Sequence, residues 1–254
     1  MRVATFNVLH GRSLSDGLVE PERLADAVRA IDADVLALQE VDRSQHRSGG
    51  RDLTEVAAEA MQATWHRFAP TVLGTPAELW RPWHPGEDDG GPAYGIALLS
   101  RLPVLRFVVL RLPPSPVRSP IVVPGPKRRV VLLEDEPRVA IIAVVEHHGV
   151  QVTVAGTHLS FVPGWNVRQL RTLRHELADW PRPVVLAGDL NLPGYLPAAV
   201  TGWRRAVKAA TYPLANPKVQ LDHVLVGHGR LTATGTAMPL GISDHCAAYA
   251  DLGL

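Results

Sequence analysis

An α/β (α+β) fold, with two packed mixed β-sheets and helices outside them, is what this sequence predicts. Three observations predict it. Apolar runs of strand length recur along the chain, a few helical patterns fall between them, and tight turn signals join several runs as hairpins. Hairpins argue against a wholly parallel sheet, because parallel neighbours need long crossovers.

The elements follow in order. "RVATFNV" (2–8) reads as a strand. "PERLADAVRAI" (21–31) places Leu24, Ala27, Val28 and Ile31 at helical spacing, with Pro21 suited to a first turn. "DVLALQEV" (34–41) is a buried strand and "LTEVAAEAM" (53–61) a helix. "YGIALLS" (94–100) and "VLRFVVL" (104–110) are two strands hinged at "RLP". Residues 111–129 carry six prolines, so they read as an exposed loop with a basic end, neither helix nor central strand. Residues 138–160 form a hairpin turning at "HHG". "NVRQLRTLRHELADW" (166–180) sets Val167, Leu170, Leu173 and Leu177 on one helical stripe. "PVVLAGDLN" ends a buried strand, and further strands are expected at 221–227, 231–238 and 245–252. With no internal repeat and no linker, residues 1–254 read as a single domain.

Composition limits the function. The chain has 254 residues, 46% of them hydrophobic, enough for a sizeable core and against overall disorder. A formal charge of +1 gives no global field for polyanions, so any such binding is local. The single Cys246 excludes an internal disulfide and a thiolate zinc site, fits a reducing compartment, and reads as a small buried hydrophobe. The N-terminal segment lacks a signal-peptide pattern and no apolar run approaches about 20 residues, so a cytoplasmic protein without stable membrane insertion, and a monomer, is expected.

The chemistry lies where strands end. "VVLAGDLNLP" (184–193) runs apolar and then presents Asp189 and Asn191, which point to one side of an extended chain. Asn7 in "TFNVLHG", Glu40 in "ALQEVD", His158 in "GTHLS", Asp222 in "LDHVLV" and Asp244–His245 in "ISDHC" repeat the theme. Singly, each has a plain alternative: a turn or cap residue, a structural histidine, an Asx-turn. Jointly they would bury carboxylates at a cost of several kcal/mol unless paired or metal-bound. Carboxylates and amides suit Mg2+ or Mn2+, and two histidines suit phosphoryl contact and proton transfer. No G-x-S-x-G, Walker A or G-x-G-x-x-G segment supports a rival chemistry. Metal-assisted hydrolysis of a phosphate ester is the reading.

The ordered set "TFNVLHG", "LQEVD", "YGIALLSRLPV", "GTHLS", "LAGDLNLP", "LDHVLV" and "ISDHC" resembles the endonuclease/exonuclease/phosphatase (DNase I-like) superfamily, from residue 3 to about 250. The resemblance implies a four-layer α/β/β/α sandwich. It also implies Glu40 as principal Mg2+ ligand, Asn7 beside it directly or through water, and Asp244 completing the metal region. Asp189 would deprotonate the attacking water and Asn191 would hold a phosphate oxygen. His245 would contact the phosphoryl group, oriented by Asp222, and His158 would act on the phosphate or leaving group. DNase I-like members pair that histidine with a glutamate. "PAYGIALL" has no acid, leaving Glu87, Asp88, Asp89 or Glu136 as substitutes.

The substrate stays open between a phosphate ester of unspecified kind and DNA or RNA. The third alternative is a catalytically silent binding module. Lys127, Arg128, Arg129 and Arg118 suit phosphates, and Trp65, Trp80, Trp83 and Trp165 suit base stacking, against the plain readings of solvated loop and packed core. Glycines in 46–53 and 80–92 let backbone approach a ligand, and Arg47 and Arg51 suit a second phosphate. "PIVVPG" (120–125) is a faint membrane-docking candidate.

Overall fold

The computed structural model describes residues 1–254 except Ala77, Pro85, Asp88, Asp89, Arg118, 124–128, Glu134 and Arg230, and describes 119–123 and 129–133 as backbone only. Of the groups singled out in the sequence, Lys127, Arg128, Asp88, Asp89, Arg118, the Arg129 side chain and the apolar "PIVVPG" patch therefore lie outside the described residues.

β1 (Arg2–Asn7) and β2 (Val35–Arg43) are parallel, joined through α1 (Pro21–Ile31). α1 starts at its proline and buries Leu24, Ala27, Val28 and Ile31, the stripe read from the sequence. α2 (Leu53–Met61) is capped by Asp52, whose side chain accepts from the Thr54 and Glu55 amides. Both helices cover Phe6, Leu36 and Leu38 on the outer face of one sheet. That seven-stranded sheet runs β14 (Thr232–Met238), β15 (Ala247–Gly253), β1, β2, β5 (Ala93–Ser100), β3 (Trp65–Gly74), β4 (Trp80–Pro82).

The second sheet has six strands: β12 (Arg204–Arg205), β13 (Asp222–Gly227), β11 (Val184–Asp189), β10 (Val150–His158), β9 (Arg138–His147) and β6 (Val104–Leu112). β10 and β11 are again parallel, connected by α3 (Trp165–Glu176). Leu170, Leu173 and Leu177 pack from that side onto Leu186, Ile142 and Leu225. A short α4 (Leu196–Thr201) follows β11.

Between the sheets lies the main core, with Val3, Val35, Ala37 and Leu98 meeting Val154, Val185, Ala187 and Val224. Each valine or leucine among them contributes about 1.5–3 kcal/mol on burial. The layer order is helix, sheet, sheet, helix: the four-layer α/β/β/α sandwich.

One glycine holds the second sheet close at its functional end. A Cβ on Gly188 would sit 2.2 Å from the Thr157 carbonyl oxygen in the neighbouring strand. Gly188→Ala is therefore expected to destabilise the fold by about 1–3 kcal/mol, read from the urea midpoint. An unchanged midpoint would show that the ladder yields without cost.

Several sequence boundaries need correction. The proline-rich stretch is not wholly loop: β7 (Ser119–Val123) and β8 (Arg129–Leu133) pair as a separate ribbon, where proline is tolerated because no central ladder needs its N–H. The helix expected to 180 ends at Glu176 and closes in a 3-10 turn, Leu177–Asp179. His245 and Cys246 precede β15, because the Cys246 amide is drawn to the Thr211 carbonyl at 2.7 Å.

Candidate active site

Two pairs of parallel strands end at one place. Asn7 is the last residue of β1, His158 of β10 and Asp189 of β11, while Glu40 stands near the end of β2. Register does the rest. His158 is the cross-strand partner of Asp189, and Asp189 of Asp222, so three neighbouring strands present His158, Asp189 and Asp222 on one rung. The other sheet faces them with Asn7 and Glu40 and, just ahead of β15, Asp244 and His245.

Backbone irregularity aims three of the polar groups. Glu40 has φ 57° at a break in the β2–β5 register, which turns its side chain out of the strand's alternation. Asn191 (φ 48°) and Ser243 (φ 72°) are also left-handed. Such strain persists where the surroundings over-determine it, and it gathers here.

Glu40, Asp189, Asn191, His158, His245, Asn7 and Asp244 all line one cavity of about 510 Å³. Asp222 lies behind it, fully buried, its Oδ2 2.8 Å from His245 Nδ1. His245 Nε2 comes within 3.9 Å of Asp189 Oδ2, and His158 Nε2 within 3.6 Å of the same oxygen. The Asn7 amide donates to Glu40 Oε1 (2.9 Å) and Asp189 Oδ2 (3.2 Å), and its own oxygen accepts the Leu9 N–H. As placed, Asn7 bridges the two carboxylates across the sheets. The Asn191 N–H donates to Asp189 Oδ1 at 2.9 Å, an Asx-turn, while its side-chain amide donates to the Leu159 carbonyl (2.9 Å) and contacts His158 Nε2 (3.3 Å). The plain Asx-turn reading and the site reading thus describe the same residue.

Charge states follow from these neighbours. Burial pulls the His245 imidazole down, but Asp222 first, then Asp189 and Asp244, outweigh it and hold the ring up at about 10. It is a cation at neutral pH. Burial, then Arg138 and His245, push His158 well below its ordinary value, so that ring is neutral. Burial and Asp222 raise Asp189 to about 6 against the opposing pull of His245 and its hydrogen bonds. Burial lifts Glu40 to about 7, opposed by the Asn7 hydrogen bond and reinforced by Glu136 and Asp244.

This donor set fits a hard divalent cation. Glu40, Asp244 and Glu136 line the same cavity; the latter two raise the Glu40 carboxyl by like-charge repulsion that a cation would relieve, and each of the three offers oxygen. Asp189, Asp222 and His245 also bring ligand atoms within 4.8 Å of one another. His245 Nδ1, however, already serves Asp222, and a ring held as imidazolium does not ligate metal.

Some residues emerge only in the structure. Tyr94, Arg138, Phe161 and Tyr212 line the same cavity. The Tyr212 ring lies 4.8 Å from that of His245. Arg138, 5% exposed, bonds Asp135 at 3.0 Å. Its sequence signal is a charged residue opening a buried apolar run, the reverse of the polar residues that close the other strands. Of the acids weighed as partner for His158, Glu136 lines the cavity, whereas Glu87 is turned away onto Arg81 at 2.7 Å.

The strand-end cluster of carboxylates, amides and histidines thus lies between the sheets of an α/β/β/α sandwich. The sequence profile of the Endonuclease/Exonuclease/phosphatase family matches residues 4–245, and the chain belongs to that family. Its fold is similar to that of an endonuclease/exonuclease/phosphatase from Beutenbergia cavernae, at 23% identity and a TM-score of 0.72, over 100% of this chain and 71% of that one. It is also similar to sphingomyelinase C from Streptomyces griseocarneus (19%, TM-score 0.64, 98% of each chain). A third is a mannosyl-6-phosphatase from Bacteroides thetaiotaomicron (15%, TM-score 0.65, 100% of each). No curated protein matches the chain. No helix among the described residues is long and apolar enough to cross a membrane.

Proposed function

We propose that this chain, acting as one domain and as a monomer, hydrolyses a phosphate ester with Mg2+ or Mn2+ held at Glu40 and Asp244 and with Asn7 fixing Glu40. The observation that carries the reading is the meeting of Asp189, His158, Asn191 and His245 with Glu40 around one cavity. The cation, when bound, supplies Lewis-acid polarisation of a phosphoryl oxygen and neutralises developing charge.

The residues divide the remaining work. Asp189 takes the proton of the attacking water, a task suited to a carboxylate raised to about 6. His245, kept cationic by Asp222, stabilises charge on the phosphoryl oxygens. Asn191 gives a phosphate oxygen the amide hydrogen now spent on the long contact to His158. His158, neutral and buried, acts on the phosphate or the leaving group.

Nucleic acid remains the alternative substrate, with weak support among the described residues. Trp83 is buried beside Leu73 and Ala93, Trp65 packs on Phe107 at 5.2 Å, and Trp165 carries the Arg168 guanidinium at 4.6 Å. Those rings are already engaged.

The deciding experiment is a panel of esters, namely bis-p-nitrophenyl phosphate, nucleic acids and phospholipids, assayed with Mg2+, Mn2+ and EDTA. Turnover abolished by EDTA is expected. A chain that cuts none of them and binds no divalent cation is the silent module. Within the panel, Glu40→Gln is expected to weaken the apparent Mg2+ affinity by at least about tenfold in a calorimetric titration. An unchanged titration curve would remove Glu40 from the metal site.

A further inference from the structure

We propose that Thr211 is a positioning residue for the reaction, tying the strand that carries Asp222 to the turn that carries His245. The inference rests on the phosphoesterase reading and deepens it with a residue that acts through others.

Asp222 and His245 belong to different sheets. Asp222 opens β13 in the six-stranded sheet, and His245 lies just ahead of β15 in the seven-stranded one. Their 2.8 Å contact therefore spans two layers whose shared core is aliphatic. Aliphatic packing is non-directional and does not by itself fix one polar distance. Nor does a second side chain hold the carboxylate. Among the described residues Asp222 Oδ1 has no hydrogen-bond partner, so backbone placement and the His245 ring alone locate it. A working pair has to be held to within about 0.5 Å, which calls for directional bonds.

Thr211 supplies them to both partners. Its Oγ1 accepts the Leu221 N–H at 3.0 Å and the Asp222 N–H at 3.2 Å, which fixes the start of β13. Its carbonyl accepts the Cys246 N–H at 2.7 Å, one residue beyond His245. Its neighbours extend the tie. The Tyr212 ring packs 4.8 Å from the His245 ring, and the Leu214 N–H donates to the Asp244 carbonyl at 2.6 Å. The segment is anchored in turn. The Thr211 and Tyr212 amides both donate to the Val219 carbonyl at 2.9 Å, and the Val219 N–H returns to the Tyr212 carbonyl at 3.0 Å. Thr211 itself is fully buried. Valine there would keep nearly the same shape and offer the two β13 amides no acceptor, whereas serine keeps the oxygen.

The test compares Thr211→Ser, Thr211→Cys and Thr211→Val with the wild type, a series in which the acceptor weakens stepwise at similar size. The first measurement is low-field proton NMR of the Nδ1–H between His245 and Asp222, assigned by its absence from His245→Gln. The signal is expected unchanged in the serine variant, shifted in the cysteine variant and lost or most shifted in the valine variant. The second measurement is kcat and KM on the ester that the wild type cuts. Thr211→Val should lower kcat by about ten- to a hundredfold with KM within about twofold, and Thr211→Ser should recover it to within about threefold. Circular dichroism checks that each variant folds; if valine does not, cysteine carries the test. A folded valine or, failing that, cysteine variant with the wild-type signal and kcat overturns the proposal. So does a serine variant as impaired as valine, or a fall in kcat with an unmoved signal. A signal that follows the acceptor series in a protein that cuts no ester would sink the hydrolase reading and leave Thr211 as the residue that sets the pair.

Discussion

Asp189→Asn lowers turnover by about a hundred- to a thousandfold, with folding stability unchanged or slightly raised. The carboxylate is buried against Asp222, and burial with that like charge lifts it to about 6. An amide of the same shape removes the charge repulsion and keeps an oxygen for the Asn191 N–H, giving up the longer contact that accepts from the Asn7 amide. A residue with a purely structural role would show the opposite pairing, activity falling together with stability. The check is kcat/KM on whichever ester of the panel the wild type cuts, alongside a urea titration. Wild-type turnover in Asp189→Asn would remove the water-activating role.

Asp222→Asn is the second large effect, and its sign is set by pH. Asp222 lies beneath His245 at 2.8 Å and is the main reason the ring stays protonated to about 10. Without that counter-charge, burial is opposed only by Asp189 and Asp244, and the imidazole gives up its proton at lower pH. Activity should fall at least about a hundredfold at pH 7, because a ring without its fixed carboxylate partner is neither held in orientation nor kept as firmly cationic against the phosphoryl oxygens. Stability should fall by about 3–5 kcal/mol, as for a broken buried ion pair.

Linkage gives the pH window. The folded pKa of His245 is raised above its unfolded value, so the pair's contribution is fully present below about 6.5 and is lost as pH rises through about 10. The stability gap between wild type and Asp222→Asn, measured in urea with EDTA present, should therefore shrink between pH 7 and pH 10.5. A gap that stays constant would show that Asp222 supports the fold by some means other than the charge on His245.

Much of the fold could be read along the chain, and the cases differ for a physical reason. α1 and α2 have the bounds read from the sequence, because one stripe of each helix faces a core and repeats every 3.6 residues. β11 was legible because both its faces are buried, which leaves an unbroken apolar run. β3, by contrast, reads "WHRFAPTVLG" with no alternation and a proline inside, so no strand signal marks it in the sequence. It is a strand because β5 pairs along most of its length, with a register shift at Pro70–Val72 that accommodates the proline. The ribbon of β7 and β8 was missed because its stability comes from pairing with each other, not from the periodicity of either segment.

The site was legible in the same unequal way. A carboxylate or histidine closing a buried run is a local anomaly, so Asn7, Glu40, His158, Asp189, Asp222 and His245 stood out. Tyr94 and Tyr212 did not, since an aromatic beside apolar residues looks like core. Arg47 and Arg51 looked equivalent in sequence and face different grooves.

The sequence alone determined which groups are present and that each closes a buried segment, because desolvation makes an unpaired polar residue costly wherever the segment lies. Only tertiary structure decided that they meet: the parallel pairing of β1 with β2 and of β10 with β11, and the packing of one sheet on the other, bring residues 7 to 245 around one cavity. The proton on His245 was decided there too, since it depends on a carboxylate 2.8 Å away on a strand of the other sheet.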